Sequence, residues 1–126
     1  MIVGMGTDII ELARIEATLS RLGDAFARRI LDDNEFLIYQ HSKLSLNYLA
    51  KRFAIKEAAA KALGTGIGRG VSWRHMHTSN SDLGAPCLRF SDGAQTQFLA
   101  LGASHCHLSV SDEQHYAVAH VILESG

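Results

Sequence analysis

The spacing of apolar positions changes twice along the chain. The opening stretch IVGMGTDI, residues 2–9, is short, apolar and punctuated by glycine, the pattern of a buried strand. Beyond it Ile10, Ala13 and Ala17 recur at helical spacing, as do Leu12, Ile15 and Leu19, and the run stops at Gly23. IELARIEATLSRLG is therefore expected to be a helix, and DAFARRIL adds a further turn or two. In DDNEFLIYQH an aspartate precedes a first turn that contains Glu35, which marks a capped helix start. The longest helical pattern covers 42–63. GTGIGRG (64–70) holds four glycines in seven residues and must be a loop. After it the period becomes two: WRHMHTSN, APCLRFS, HCHLSVSD and YAVAHVIL alternate as strands do, with GAQTQFLALG a short helix among them. One strand, several helices, then strands around one helix predict a single α+β domain over 1–126 with a largely antiparallel sheet.

Composition narrows this little. Of 126 residues 47% are apolar and 20% charged, which suits one packed core and excludes a disordered chain. A domain this small favours assembly with copies of itself. Charge is uneven: residues 1–74 are net positive and 75–126 net negative, which points to an anionic partner on the first part. The excess falls short of a nucleic-acid-binding profile. Cys87 and Cys106 form no motif, as expected of free thiols in a reducing compartment. MIVGMGTDII lacks the features of a signal peptide, and no stretch approaches the ~18–20 apolar residues of a membrane span. The expectation is a cytoplasmic protein without membrane or nucleic-acid partners.

One helix carries a misplaced charge. On a wheel of about 100° per residue, Leu46, Leu49, Ala50, Phe53 and Ala60 form one stripe, and Glu57 lies near its centre. Lys61 sits at the stripe's edge, one turn on, while Lys51, Arg52 and Lys56 fall off it. An i,i+4 ion pair on a solvated face is the ordinary explanation, but this face is otherwise apolar. A buried carboxylate needs a partner, and either Lys61 or a metal ion would serve. Asp8 is a second acid, at the end of the glycine-rich strand and just before a helix. It suits either a helix N-cap or a functional site. Asp8 and Glu57 together offer two hard oxygen ligands of the kind Mg²⁺ takes from protein beside water and phosphate. Lys61 adds a point charge for a phosphoryl oxygen, and the glycine loop adds unhindered N–H groups.

Two segments carry a resemblance. GTDIIEL (6–12) and RFAIKEAAAKALGTGIG (52–68) are similar to the paired signature motifs of 4'-phosphopantetheinyl transferases. The short chain, and GTGIG directly after the helix, resemble the small trimeric class, the holo-[acyl-carrier-protein] synthases. FARRIL, GAPCLRF and HLSVSDEQHYAVAHVIL also match, so the likeness covers nearly the whole chain. It implies transfer of 4'-phosphopantetheine from coenzyme A to a serine of apo-acyl carrier protein, in support of fatty acid synthesis. It assigns Asp8 and Glu57 to Mg²⁺ and to catalysis, with Lys61 as the motif's lysine. It implies a homotrimer whose active sites lie between subunits, with Asp8 and Glu57 of one site drawn from different chains. Lys43, Arg52, Lys61, Gly64, Thr65, Gly66 and Pro86 are the implied coenzyme A neighbours. Arg14, Arg21 and Arg28 are the implied contacts to the acidic carrier protein.

The chain departs from the family at Asp112, where many relatives have a histidine beside coenzyme A; His107 or Ser109 would take over that contact. The i,i+2 pairs His75/His77 and His105/His107 have no third ligand spaced to complete a zinc site, and Trp73 reads as core. Two other classes of function fit the same residues. One is an idle nucleotide-binding module of this fold, and the other is a metal-dependent pyrophosphate hydrolase.

Overall fold

A computed structural model describes residues 1–126. The elements are β1 (Ile2–Glu11), α1 (Leu12–Leu22), α2 (Asp24–Ile30), α3 (Asp33–His41) and α4 (Ser45–Ala62), followed by a 3₁₀ turn at Trp73–His75. Then come β2 (Met76–Asn80), β3 (Pro86–Phe90), α5 (Asp92–Ala100), β4 (His105–Asp112) and β5 (Tyr116–Glu124). The three-stranded sheet runs β1-β5-β4, and β2 pairs with β3 alone; every pairing is antiparallel. This is the expected α+β architecture, divided between two sheets. No helix is long and apolar enough to cross a membrane.

α4 is the spine. One core packs it against the sheet, through Ile55, Ala58, Ala62, Val121 and Leu123. A second packs it against α1–α3, through Leu49, Ala50, Ile15, Ile30 and Phe36. A helix between two cores has no single apolar face, so the wheel misplaces part of it. Arg52 and Lys56, off the stripe, are both buried, and Lys56 is wholly so. The Lys56 ammonium donates to Glu35 Oε1 at 2.6 Å and to the Ile30 carbonyl at 2.7 Å. Burial pushes its pKa down, and the Glu35 charge opposes that. Glu35 also accepts from the Asp32 N–H, the Thr78 N–H and the Thr78 hydroxyl, at 2.6–2.8 Å. With its bonding capacity filled, the pair is tolerated inside the fold.

Local chemistry decides the element ends. Asp32 caps α3 in a reciprocal box with Glu35, as the sequence predicts. β1 extends past the expected boundary because its ladder with β5 continues to Glu11↔Tyr116, so α1 starts at Leu12. Asp8 is thus within the strand and is not a helix cap. WRHMHTSN is a strand only from Met76. Ser72 and His75 bond reciprocally across Trp73–His75 and tighten that segment into a 3₁₀ turn.

β1 presents Gly4, Gly6, Asp8 and Ile10 to α4. A Cβ on Gly4 would lie 2.1 Å from the Ala62 carbonyl oxygen, and one on Gly6 would lie 2.0 Å from that of Ala58. The two glycines therefore let strand and helix touch backbone to backbone. The other face of the sheet is open: Met5 and Ile9 are 66% and 63% exposed, beside Ile122 and Val118 in register.

Candidate active site

The close approach of β1 to α4 sets the site. Asp8 continues the inward row of Gly4 and Gly6, and Glu57 and Lys61 rise from the facing turns of α4. Lys61 does not bond its i,i+4 neighbour Glu57. It reaches across to β1, donating to Asp8 Oδ1 at 3.1 Å and to the Thr7 carbonyl at 2.9 Å. Two of its three N–H groups are thus used, and the side chain remains half exposed. Glu57 Oε1 accepts from the Trp73 indole N–H at 3.3 Å, and Oε2 has no hydrogen-bond partner in the protein.

Burial raises the Glu57 pKa, with a smaller push from Asp8; Trp73 and Lys61 oppose it. Asp8 therefore acts on Glu57 of its own chain. Within one chain, strand and helix already bring the two acids together, without a second subunit.

Two adjacent carboxylates, one desolvated and short of positive charge, form a site that a cation would relieve. No third His, Cys, Asp or Glu joins them. Mg²⁺ fits such a donor set, since it draws few ligands from protein and fills the rest with water and phosphate oxygens.

The glycine loop differs from expectation. Gly64, Gly66, Gly68 and Gly70 all have positive φ, from 63° to 118°, which glycine adopts without steric cost. The amides of Gly64, Thr65 and Gly66 are not free, however. They donate to Lys61 O and Ala60 O and close the C-terminus of α4. The Thr65 hydroxyl donates to the Gly66 carbonyl. These residues shape the end of the helix and do not form a ready nest of N–H donors.

Arg52 and Pro86 meet elsewhere. With Tyr48, Lys51, Asn80 and Gly84 they line a cleft of about 410 Å³. Arg52 Nε donates to the Thr78 hydroxyl at 3.1 Å, and its guanidinium lies 4.3 Å from the Tyr48 ring centre. That contact is over the ring face, and the buried Tyr48 hydroxyl has no hydrogen-bond partner. Arg52 and Glu57 are five residues apart, or about 140° around the helix. The cleft and the acid pair therefore open on different sides of one chain. Lys43 is exposed just before α4 and does not line the cleft.

His107 and Ser109 are also apart from both. They lie on the open face of the sheet, where His107 Nε2 bonds Glu124 Oε1 at 2.9 Å. Asp112 instead ties β4 to α4, accepting from Asn47 at 3.2 Å and lying 3.8 Å from Lys51. Arg14, Arg21 and Arg28 are exposed; Arg28 places its guanidinium 4.1 Å from the Phe36 ring centre. The sequence reading missed Trp73 as a site residue, because a lone tryptophan between polar residues carries no signal of its partner.

The chain belongs to the 4'-phosphopantetheinyl transferase superfamily, whose family model matches residues 4–121. It is 59% identical over 125 residues to the holo-[acyl-carrier-protein] synthase of Shewanella sp. (strain W3-18-1), covering 98% of each chain. Among solved structures it is similar to the holo-[acyl-carrier-protein] synthase of Neisseria meningitidis, with TM-score 0.93 and 42% identity, over 99% of this chain and 100% of that one. It is also similar to the Bacillus anthracis holo-(acyl-carrier-protein) synthase in complex with CoA (3',5'-ADP), with TM-score 0.84 and 43% identity, over 100% and 99%.

Proposed function

We propose that this protein transfers 4'-phosphopantetheine from coenzyme A to a serine hydroxyl of apo-acyl carrier protein, releasing adenosine 3',5'-bisphosphate, and that it does so with Mg²⁺. The observation that carries this reading is the Asp8–Glu57 pair with Lys61, held together by the contact between β1 and α4. Asp8 and Glu57 would hold the cation. When bound, it supplies positive charge to the pyrophosphate oxygens as the bridging bond breaks. Lys61, with two N–H groups fixed on β1, keeps a third that would serve the leaving phosphate. The serine proton passes to one of the two acids, directly or through a water, as the serine oxygen attacks the phosphorus and the bridging bond breaks. Full activity in Glu57→Gln with the cation still bound would exclude Glu57 as that acceptor.

Three further features support a homotrimer acting in the cytoplasm. The open apolar face of the sheet offers a surface for a second copy. The Arg52–Pro86 cleft turns away from the acids of its own chain, so assembly would bring one copy's cleft to another's acid pair. The cysteines are unpaired, which fits a reducing compartment. On α1, Arg14 and Arg21 present exposed charge for the acidic carrier protein.

Mass spectrometry of apo-carrier protein incubated with coenzyme A and Mg²⁺ tests the reading. A mass gain of one phosphopantetheine is expected. Coenzyme A cleavage without that gain would make the protein a hydrolase, and binding without turnover an idle module.

A further inference from the structure

We propose that Trp73 is a positioning residue for Glu57: its indole N–H holds one carboxylate oxygen and so presents the other to the cation and substrate. The inference rests on the reading of Asp8 and Glu57 as the cation site. The geometry is specific. Trp73 Nε1 lies 3.3 Å from Glu57 Oε1, and it is the only hydrogen-bond donor that reaches this carboxylate. Lys61, one helical turn on, is committed to Asp8 and Thr7, and the adjacent Lys56 is committed to Glu35 and the Ile30 carbonyl. A half-buried carboxylate with no donor would rotate freely about its last torsion, and one fixed oxygen removes that freedom.

The indole is itself held. Its ring stacks on Phe53 with centroids 6.4 Å apart and planes at 29°, and Phe53 packs on Phe26 at 6.2 Å. Phe53 stands one turn before Glu57 on α4, so ring and carboxylate take their register from the same helix. The backbone of Trp73 is fixed by the Ser72–His75 box, which turns the indole back over α4. This explains why the segment is a 3₁₀ turn: an extended strand beginning at Trp73 would not share that capped geometry. A phenylalanine would keep the stack and lose the donor. The indole N–H is therefore the functional part of the residue, and the ring is its mount. Groups that orient a ligand side chain without touching the metal change affinity about 10–100-fold when removed. A single hydrogen bond at 3.3 Å belongs at the lower end of that range.

Trp73→Phe isolates the N–H. Binding of Mn²⁺, read by electron paramagnetic resonance in the presence of adenosine 3',5'-bisphosphate, is expected to weaken about tenfold. The KM for carrier protein should stay unchanged. Mn²⁺ affinity equal to that of the unmodified protein would overturn the proposal. Trp73 is also the only tryptophan in the chain. Its emission should change as Mn²⁺ is added to the unmodified protein, with the midpoint seen by resonance. An unresponsive emission would also overturn the proposal, and this arm holds even where Trp73→Phe fails to fold. Glu57→Gln separates the two readings. Should it bind Mn²⁺ like the unmodified protein, the cation site itself is wrong, whatever Trp73→Phe does.

Discussion

Gly6→Ala tests how closely the proposed site depends on the contact between β1 and α4. The added Cβ would sit 2.0 Å from the Ala58 carbonyl oxygen, 2.8 Å from the Ala62 nitrogen and 2.9 Å from the Lys61 Cβ. Ordinary contact begins at 3.4 Å, so strand and helix must separate by about 1.4 Å. The atoms it meets are mostly backbone, and no side chain can swing aside to make room. Overpacking of this kind costs about 1–3 kcal/mol, and a clash with backbone on both sides belongs near 3. Asp8 is two residues along the same strand and moves with it. A displacement of about 1 Å at a reacting group lowers turnover by about 10². Urea unfolding followed by circular dichroism gives the first quantity, and mass-spectrometric turnover well below the melting temperature gives the second. Gly4→Ala, 2.1 Å from the Ala62 oxygen, should lose similar stability but less turnover, since it lies further from Asp8. A Gly6→Ala protein within 1 kcal/mol of its parent, with unchanged turnover, would refute the argument.

Lys56→Met should cost about 3–5 kcal/mol in the same unfolding assay, because it leaves the Glu35 carboxylate buried without its cation. Charge reversal at Arg14 and Arg21 together should raise the KM for carrier protein and leave coenzyme A binding unchanged; equal KM values would remove α1 from the docking surface. Asp32 supplies a pH dependence. Burial alone would raise its pKa, but the Glu35 N–H, His77 and Lys56 outweigh that and hold it below the usual value. A depressed folded pKa means that the stabilisation is complete above the unfolded value of about 3.9 and is lost as pH falls through the folded one. Asp32→Asn should flatten that acid limb of the stability curve, and an unaltered limb would show that another group sets it.

Much of this molecule was legible in its sequence, for reasons that differ by residue. The α3 start was readable because a capping box is local: Asp32 and Glu35 satisfy each other within four residues. The family was readable because the motifs around Asp8 and Glu57 are paired and specific. What failed was long-range. The wheel assumes one buried face, and α4 is buried between two cores, so Arg52 and Lys56 fell off the stripe although both are buried. The free amides of 64–66 looked available because nothing local says that they turn back to cap α4. Trp73 meets Glu57 across sixteen residues, through a 3₁₀ turn that alternation mimics as strand. The glycines at 4 and 6 marked a strand, but not that α4 would press its backbone against them.

The double burial of α4 also orders events in time when the protein begins to come apart. The arginines of α1 lie on the periphery, where fraying is easiest, whereas Glu57 and the β1 contact belong to the element that both cores must release. Under mild denaturant, amides of α1 and α2 should exchange with solvent before those of α4. With α1 as the proposed docking helix, a molecule partly open in this way would lose its hold on carrier protein while the acid pair remained assembled. The α1 surface and the acid pair thus have separate lifetimes, and the acid pair lasts as long as the fold does.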